Sequence, residues 1–292
     1  MMTPERAGLE QLARSYLDAL AARDPDRLPL APDFRQTENG QELAVGDGIW
    51  GTANGIGAYR HVIVDTATQS VAMTAVLLEN DLPVIAGIRL RAPGGQIAEA
   101  EIIVSRTDIL FYKDGPQKLN AMGGPAPIWS EIVPPAERME RRDLEALADA
   151  YFDTLERNDG SRVAPFEDGC RRLDNGVWAT QAPEFDTPGE PPFYALGPAG
   201  QFGLGYFVFV TRLRGRRAPV IDVDRGVVVS FPLLDHAGTV HEARLTDGRT
   251  VPIGVRQPYT WQCMEIFKMR AGRIAQIEVV LNKVPYGMAS GW

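Results

Sequence analysis

Apolar positions recur with helical spacing in two stretches of the chain. In the first they are Leu9, Leu12, Ala13, Tyr16, Leu17 and Leu20, and in the second Leu144, Leu147, Ala148, Tyr151, Phe152 and Leu155. The spacing i, i+3, i+4, i+7, i+8, i+11 is one face of an amphipathic helix. The two stretches lie 135 positions apart, residue for residue. Each runs into an acidic turn, Arg23-Asp24-Pro25 or Asn158-Asp159-Gly160, and each closes on Asn-Gly, at Asn39-Gly40 and Asn175-Gly176. The pattern predicts an internal duplication. The first helix starts at Thr3-Pro4-Glu5, with Thr as cap and Pro in the first turn, and runs to about Arg23. The second is expected over Glu137–Arg157.

After each helix the period changes from helical to alternating. In the first copy strands are predicted at Glu42–Val45, Arg60–Asp65, Ser70–Glu79, Pro83–Ala92 and Ile97–Arg106, with short turns across Pro25–Pro32. In the second they are predicted at Tyr206–Leu213, Pro219–Asp222, Val227–Leu234, Tyr259–Met269 and Ile274–Leu281. The closing strands match at an offset of 177, Glu101 falling on Glu278. The second copy therefore carries about 42 extra residues, mostly after Gly176 and around Ala237–Arg256. The expected organisation is a domain over 1–107, a Pro/Gly-rich linker over 108–135 and a second domain with an insertion over 136–292. Ile109, Phe111, Tyr112, Ile128 and Trp129 give that linker apolar groups that need burial. Helix followed by mostly antiparallel strands is an α+β reading.

Composition narrows the classes. The charge is −8, with 30 basic and 38 acidic residues, and the densest basic run, Arg212–Arg217, is short, so no nucleic-acid partner is expected. Two cysteines, Cys170 and Cys263, lie outside any CxxC, which argues for free thiols. Neither a signal peptide nor a membrane span is expected, and a cytoplasmic location is the default. Glycine-rich nucleotide loops, GxSxG and HExxH are absent, so no cofactor and no metal is predicted.

The order of elements resembles the nuclear transport factor 2-like superfamily, which includes ketosteroid isomerase, scytalone dehydratase, limonene epoxide hydrolase and SnoaL-type polyketide cyclases. A closer resemblance is to a tandem, functionally uncharacterised family within it. It rests on Thr37-Glu38-Asn39-Gly40 with Gly46-Asp47-Gly48-Ile49-Trp50, and on Asp174-Asn175-Gly176. Arg216-Arg217 with Val220-Ile221-Asp222 and the tail Pro285-Tyr286-Gly287-Met288 with Ser290-Gly291-Trp292 complete it. The resemblance implies two cone-shaped, barrel-like α+β domains, each a curved sheet wrapped on a helix around an apolar pocket.

Three histidines are present: His61, His236 and His241. Asp235-His236 stands at the end of the apolar strand Val227–Leu234, where neighbouring side chains face opposite sides, so one of the two can enter a pocket and move protons. His236, Asp235 and His61 are the catalytic candidates; a loop or core histidine is the structural alternative. Trp50, Tyr59, Glu38, Asn39, Arg217, Asp222 and Tyr286 are the candidates for binding a substrate. Glu99, Glu101, Glu265 and Glu278 interrupt apolar strands, facing either solvent or a pocket, where burial would raise their pKa. Two functions follow from these residues and the resemblance. One is a cofactor-independent lyase, dehydratase or isomerase using acid–base chemistry on a small, largely apolar molecule, aromatic ones included. The other is a non-catalytic small-molecule-binding or assembly protein whose copies form an intramolecular pseudo-dimer. A homodimer is left open, and the site is expected in the second copy, which owns the insertion.

Overall fold

The computed structural model describes residues 6–106, 113–161, 163–189 and 191–292. The expected helix start at Thr3-Pro4-Glu5 and the burial of Ile109, Phe111 and Tyr112 lie outside them. In the first half, helix α1 (Arg6–Ala22) precedes β1 (Leu30–Glu38) and β2 (Gln41–Glu42). The one-turn helix α2 (Ile49–Thr52) leads into β3 (Ala53–Asp65), β4 (Ser70–Glu79), β5 (Leu82–Arg91) and β6 (Ile97–Ser105). Helix α3 (Gly115–Ala121) lies in the connecting stretch. The second half repeats the plan with α4 (Arg141–Arg157), β7 (Phe166–Asp174), β8 (Val177–Trp178), α5 (Pro198–Gly203), β9 (Arg212–Asp222) and β10 (Val227–His236). The hairpin β11 (Glu242–Arg244) and β12 (Thr250–Pro252) precedes β13 (Tyr259–Arg270) and β14 (Arg273–Val284).

The two large sheets have the same order, β2-β1-β6-β5-β4-β3 and β8-β7-β14-β13-β10-β9. β1 lies parallel to β6, and β7 parallel to β14; the other pairs are antiparallel. This is an α+β fold with an internal duplication. Neither sheet closes: each is open at both edges, so "barrel-like" describes curvature only. The long strands β1 and β7 escaped the sequence reading, as did the short β8, β11 and β12, and of the strand expected at Glu42–Val45 only Gln41–Glu42 forms. Tyr206–Leu213 and Pro219–Asp222, expected as separate strands, resolve into the single strand β9, while residues 206–209 form turns.

The alternation of each strand is spent on two different layers. One face of the first sheet packs on α1 through Leu9, Tyr16, Val71, Met73 and Ile88, and one face of the second on α4 through Leu144, Tyr151, Val228 and Phe267. The opposite faces pack on each other, with Tyr59, Ile63, Val76 and Ile103 meeting Val220, Val229, Phe231 and Met264. That is why the runs at Ser70–Leu77 and Val227–His236 are buried throughout. It also corrects the expectation that Glu101 and Glu278 face solvent or a pocket: they face the other half. Arg217 donates to Glu101 at 2.6 Å, and His61 lies 2.9 Å from Glu278. Arg217 and His61 hold corresponding places beside Phe231 and Thr74, so the two contacts are the same contact made in both directions.

The same reciprocity holds at the helix starts. Arg6 of α1 forks onto Asp222 at 2.7 and 2.8 Å, and Arg141 of α4 onto Asp65 at 3.1 and 2.5 Å. Near the pseudo-two-fold axis, Gly87 and Met264 occupy the same register position in their two halves. A Cβ on Gly87 would stand 3.0 Å from Met264 Cε, so the glycine of one copy makes room for the methionine of the other. The halves are therefore joined as an isologous dimer would be, within one chain. The tail adds a second tie. Trp292 sits on the guanidinium groups of Arg35 and Arg89, 4.3 and 4.7 Å from its ring centre, and its indole N–H donates to Thr37. No helix among the described residues is long and apolar enough to cross a membrane.

Candidate active site in the second half

A cavity of about 660 Å³ opens between α4 and the second sheet. Its long wall is one face of β13: Tyr259, Trp261, Cys263 and Glu265 follow each other at every second residue. The insertion builds the rest. Phe193, Tyr194, Tyr206, Phe207 and Phe209 close one side, and Ile253–Gln257, after β12, form a lip. Asp186 staples the first of these segments by accepting from the backbone N–H groups of Phe193, Tyr194 and Ala195 at 2.7–2.8 Å.

Polar groups gather at the deep end. Asp174 and Glu265 both pair in register with Val279, so the three project on one side with Val279 between the carboxyls. Two strand spacings separate the carboxyl-bearing backbones, roughly 10 Å. Arg172, the preceding residue on that face of β7, donates from Nε to Asp174 at 3.2 Å. Glu265 is 3% exposed, and its Oε2 has no hydrogen-bond partner. Burial, with the charge of Asp174 added, pushes the Glu265 carboxyl up to about 8, and Arg172 and Tyr151 only partly offset this. Burial also raises Asp174, against the pull of Arg172. The floor therefore holds two buried carboxyls with raised pKa: Glu265, protonated at neutral pH beside Tyr151, and Asp174, paired with Arg172.

Of the ten residues singled out from the sequence, His236 alone lines this cavity. Asp235 points the other way, as strand alternation requires, and is buried under Arg212, Arg214 and Thr260. His61 and Tyr59 both bond to Glu278 between the sheets. Arg217 is tied to Glu101 there, and Asp222 to Arg6. Trp50 is core, edge-on to Tyr16 at 5.3 Å. Glu38 caps α2 by accepting from the Ile49 N–H and pairs with Arg106. Asn39 is a left-handed turn residue whose amide bonds both ways with the Val104 backbone, as Asn175 does with Leu281. Tyr286 is half exposed, outside the cavity lining.

His236 and the carboxyls are far apart. His236 is in register with Tyr259, six residues along β13 from Glu265, which is about 20 Å of strand. They cannot act on one atom. Sequence reasoning passed over Tyr151, Arg172 and Asp174 as site residues and gave Glu265 two alternatives, solvent or a pocket that raises its pKa; the structure places it at the cavity. A usable signal existed: Glu265 is the one charged residue in the stripe Tyr259, Trp261, Cys263, Phe267, Met269, all of which pack in the core on α4.

Family comparison agrees with the duplication. A family described as a domain of unknown function, DUF8021, matches residues 3–103 and 137–281. The chain belongs to this family. No curated protein matches it. Among solved structures it is similar to a putative ketosteroid isomerase from Kribbella flavida DSM 17836 at 16% identity and a TM-score of 0.27, covering 36% of this chain and 82% of that one. It is also similar to an NTF2-like protein of unknown function from Cytophaga hutchinsonii ATCC 33406, at 10% identity and a TM-score of 0.28, covering 33% and 89%. A putative isomerase from Bacillus subtilis has 11% identity and a TM-score of 0.29, covering 49% and 90%.

Proposed function

We propose that this member of the DUF8021 family is a cofactor-independent isomerase or lyase that moves protons at the floor of the second-half cavity. The observation that carries the reading is the pair Asp174 and Glu265, straddling Val279 in an otherwise largely aromatic and aliphatic enclosure. Their environments differ, as acid–base pairs require: Asp174 is paired with Arg172, and Glu265 keeps an unpartnered oxygen. Asp174, its carboxylate form favoured by Arg172, takes a proton from a carbon next to a carbonyl. Glu265, protonated, donates a hydrogen bond to the oxygen on which negative charge develops. Return of the proton from Asp174 to a different carbon completes an isomerisation. Loss of a hydroxyl from the neighbouring carbon, protonated by Glu265 as it leaves, completes a dehydration. The substrate is a small, largely apolar and aromatic carbonyl compound, matched to the walls by shape and stacking.

The reaction class can be tested without the natural substrate. The bicyclic aryl ketone 2-tetralone has acidic α-hydrogens, and their exchange in D₂O is read by proton NMR. The wild type should accelerate the exchange, and Asp174→Asn and Glu265→Gln should each lower the enzymatic rate by about 10²–10⁴-fold with the far-UV spectrum unchanged. A wild-type rate equal to that of the doubly substituted protein leaves the second reading, a binding protein without chemistry. The aromatic walls of the cavity favour that reading in the same way.

A further inference from the structure

His236 is held in a manner that a proton-transfer residue does not need. Its ring is sandwiched between Tyr259, 4.5 Å away and tilted by 13°, and Phe209, 5.7 Å away and tilted by 30°. Both faces are therefore covered, and only the ring edge is open. On that edge Nδ1 lies 3.0 Å from the carbonyl oxygen of Leu234, which can only accept, so Nδ1 carries the hydrogen. In the neutral ring Nε2 is then a lone pair. It has no protein partner among the described residues. Burial opposes protonation of this ring, as does Lys283, whose ammonium lies over the Tyr259 ring at 4.5 Å. The result is a fixed, oriented hydrogen-bond acceptor at the opposite end of the cavity from the carboxyls.

We propose that His236 is a specificity residue: its Nε2 accepts from a hydroxyl or N–H at the end of the ligand remote from the Asp174–Glu265 floor. The ligand class that meets this requirement is elongated, flat and aromatic, with a donor group at its outer end. The row Tyr259, Trp261, Cys263, Glu265 is the track along which it lies, and the insertion rings cover its other face. The inference rests on the cavity being the ligand site, as above, but not on chemistry occurring at the floor. An outer-end carboxylate is the competing class, since Lys283 and Arg256 also line the cavity, yet such a group would receive no hydrogen from Nε2.

The test uses rod-shaped dyes that differ at one end: 4-hydroxyazobenzene, 4-methoxyazobenzene and 4-(phenylazo)benzoate, titrated into the full chain by quenching of tryptophan fluorescence. The wild type should prefer the hydroxyl dye over the methoxy dye by about 10–100-fold, the consequence of leaving a buried acceptor unpaired. His236→Phe keeps the stack and removes the acceptor, and it should abolish that preference while leaving methoxy-dye affinity within about threefold. His236→Gln, whose amide oxygen can accept, should recover part of it. The inference is overturned if His236→Phe retains the preference, if the carboxylate dye binds tightest, or if the wild type binds none of the three. Glu265→Gln should lose tetralone exchange and keep the hydroxyl preference. Absence of exchange in the wild type with the preference intact would remove the enzymatic reading alone.

Discussion

The two halves share one topology and differ in what fills the space between helix and sheet. In the first half that space is occupied by Trp50, which α2 delivers against Tyr16 and whose indole N–H donates to Gln36 at 3.1 Å. In the second half Tyr151 stands where Tyr16 does, Arg172 where Gln36 does, and Asp174 where Glu38 does, by helix spacing and strand register. Phe202 of α5, edge-on to Tyr151 at 5.3 Å, answers Trp50 there, but its ring is smaller and carries no donor for Arg172, and the insertion walls the space that stays open. The register also sets Glu265 against Ile88. Glu38 is satisfied by a helix cap and by Arg106, whereas Glu265 is left with an unpartnered oxygen. One copy has its buried carboxyls paired. The other keeps a buried carboxyl that is costly unless it is used. Because the faces that a dimer would use already cover each other, the two roles are held in fixed relation within one chain.

Four tests sharpen this contrast. The largest effect is expected from Trp50→Ala, which empties a close-packed site and should cost about 3–5 kcal/mol in urea unfolding. Trp261→Ala, at the wall of a space that is already open, should cost less than half as much. Equal costs would break the contrast between a filled and an open copy. Next comes the seam. Arg141→Ala leaves Asp65 buried without its guanidinium and should cost about 1–3 kcal/mol, a range reduced because Arg141 is 35% exposed. Arg6→Ala should cost less, since Asp222 keeps Arg225 at 3.6 Å.

Smaller, and specific to the second half, is a pH effect. Glu265 is raised in the folded state to about 8, so between its unfolded value of about 4.5 and that pH the native state holds a proton that the unfolded chain has released. Its contribution is fully present below pH 4.5 and is lost as pH rises toward 8. The stability of Glu265→Gln relative to wild type should therefore increase with pH in this window, by no more than about 1.4 kcal/mol per pH unit. His236, lowered to about 4 by burial, works in the opposite direction below about pH 6.5 and cancels in the comparison. A flat difference between pH 5 and pH 8 would mean that the floor is not desolvated. The smallest effect should follow removal of residues 285–292. Loss of the Trp292 stack on Arg35 and Arg89 should cost about 1 kcal/mol. Dye binding should be unchanged, because the tail does not line the cavity.

Much of the architecture was legible because it is local and repeated. Helical spacing at Leu9–Leu20 and Leu144–Leu155, and glycine-turn hairpins at the end of each copy, need only neighbouring residues to be read. β1 and β7 were not legible. Each is interrupted by polar or turn-forming residues, Pro32-Asp33 and Glu167-Asp168-Gly169, and each pairs in parallel with a strand distant in sequence, β6 or β14. The site was legible in part. Strand alternation separates Asp235 from His236, and the insertion pointed to the second copy. His61, Tyr59, Arg217 and Asp222 were selected because reactive side chains inside apolar strands look functional. In the structure they make polar bonds of a buried seam.

What the amino-acid order determined unaided is the duplication, the helix faces and the strands with both faces apolar, since these depend on periodicity alone. Which face of each sheet meets the other half was decided only in three dimensions. A period of two states that a strand has two sides, not what covers each of them. The same ambiguity governs the glutamates. Glu101, Glu278 and Glu265 are alike in sequence, each a carboxylate in an apolar strand. Tertiary packing gave Glu101 an arginine and Glu278 a histidine and a tyrosine from the opposite copy, and left Glu265 facing a cavity beside Asp174, where desolvation keeps its proton on.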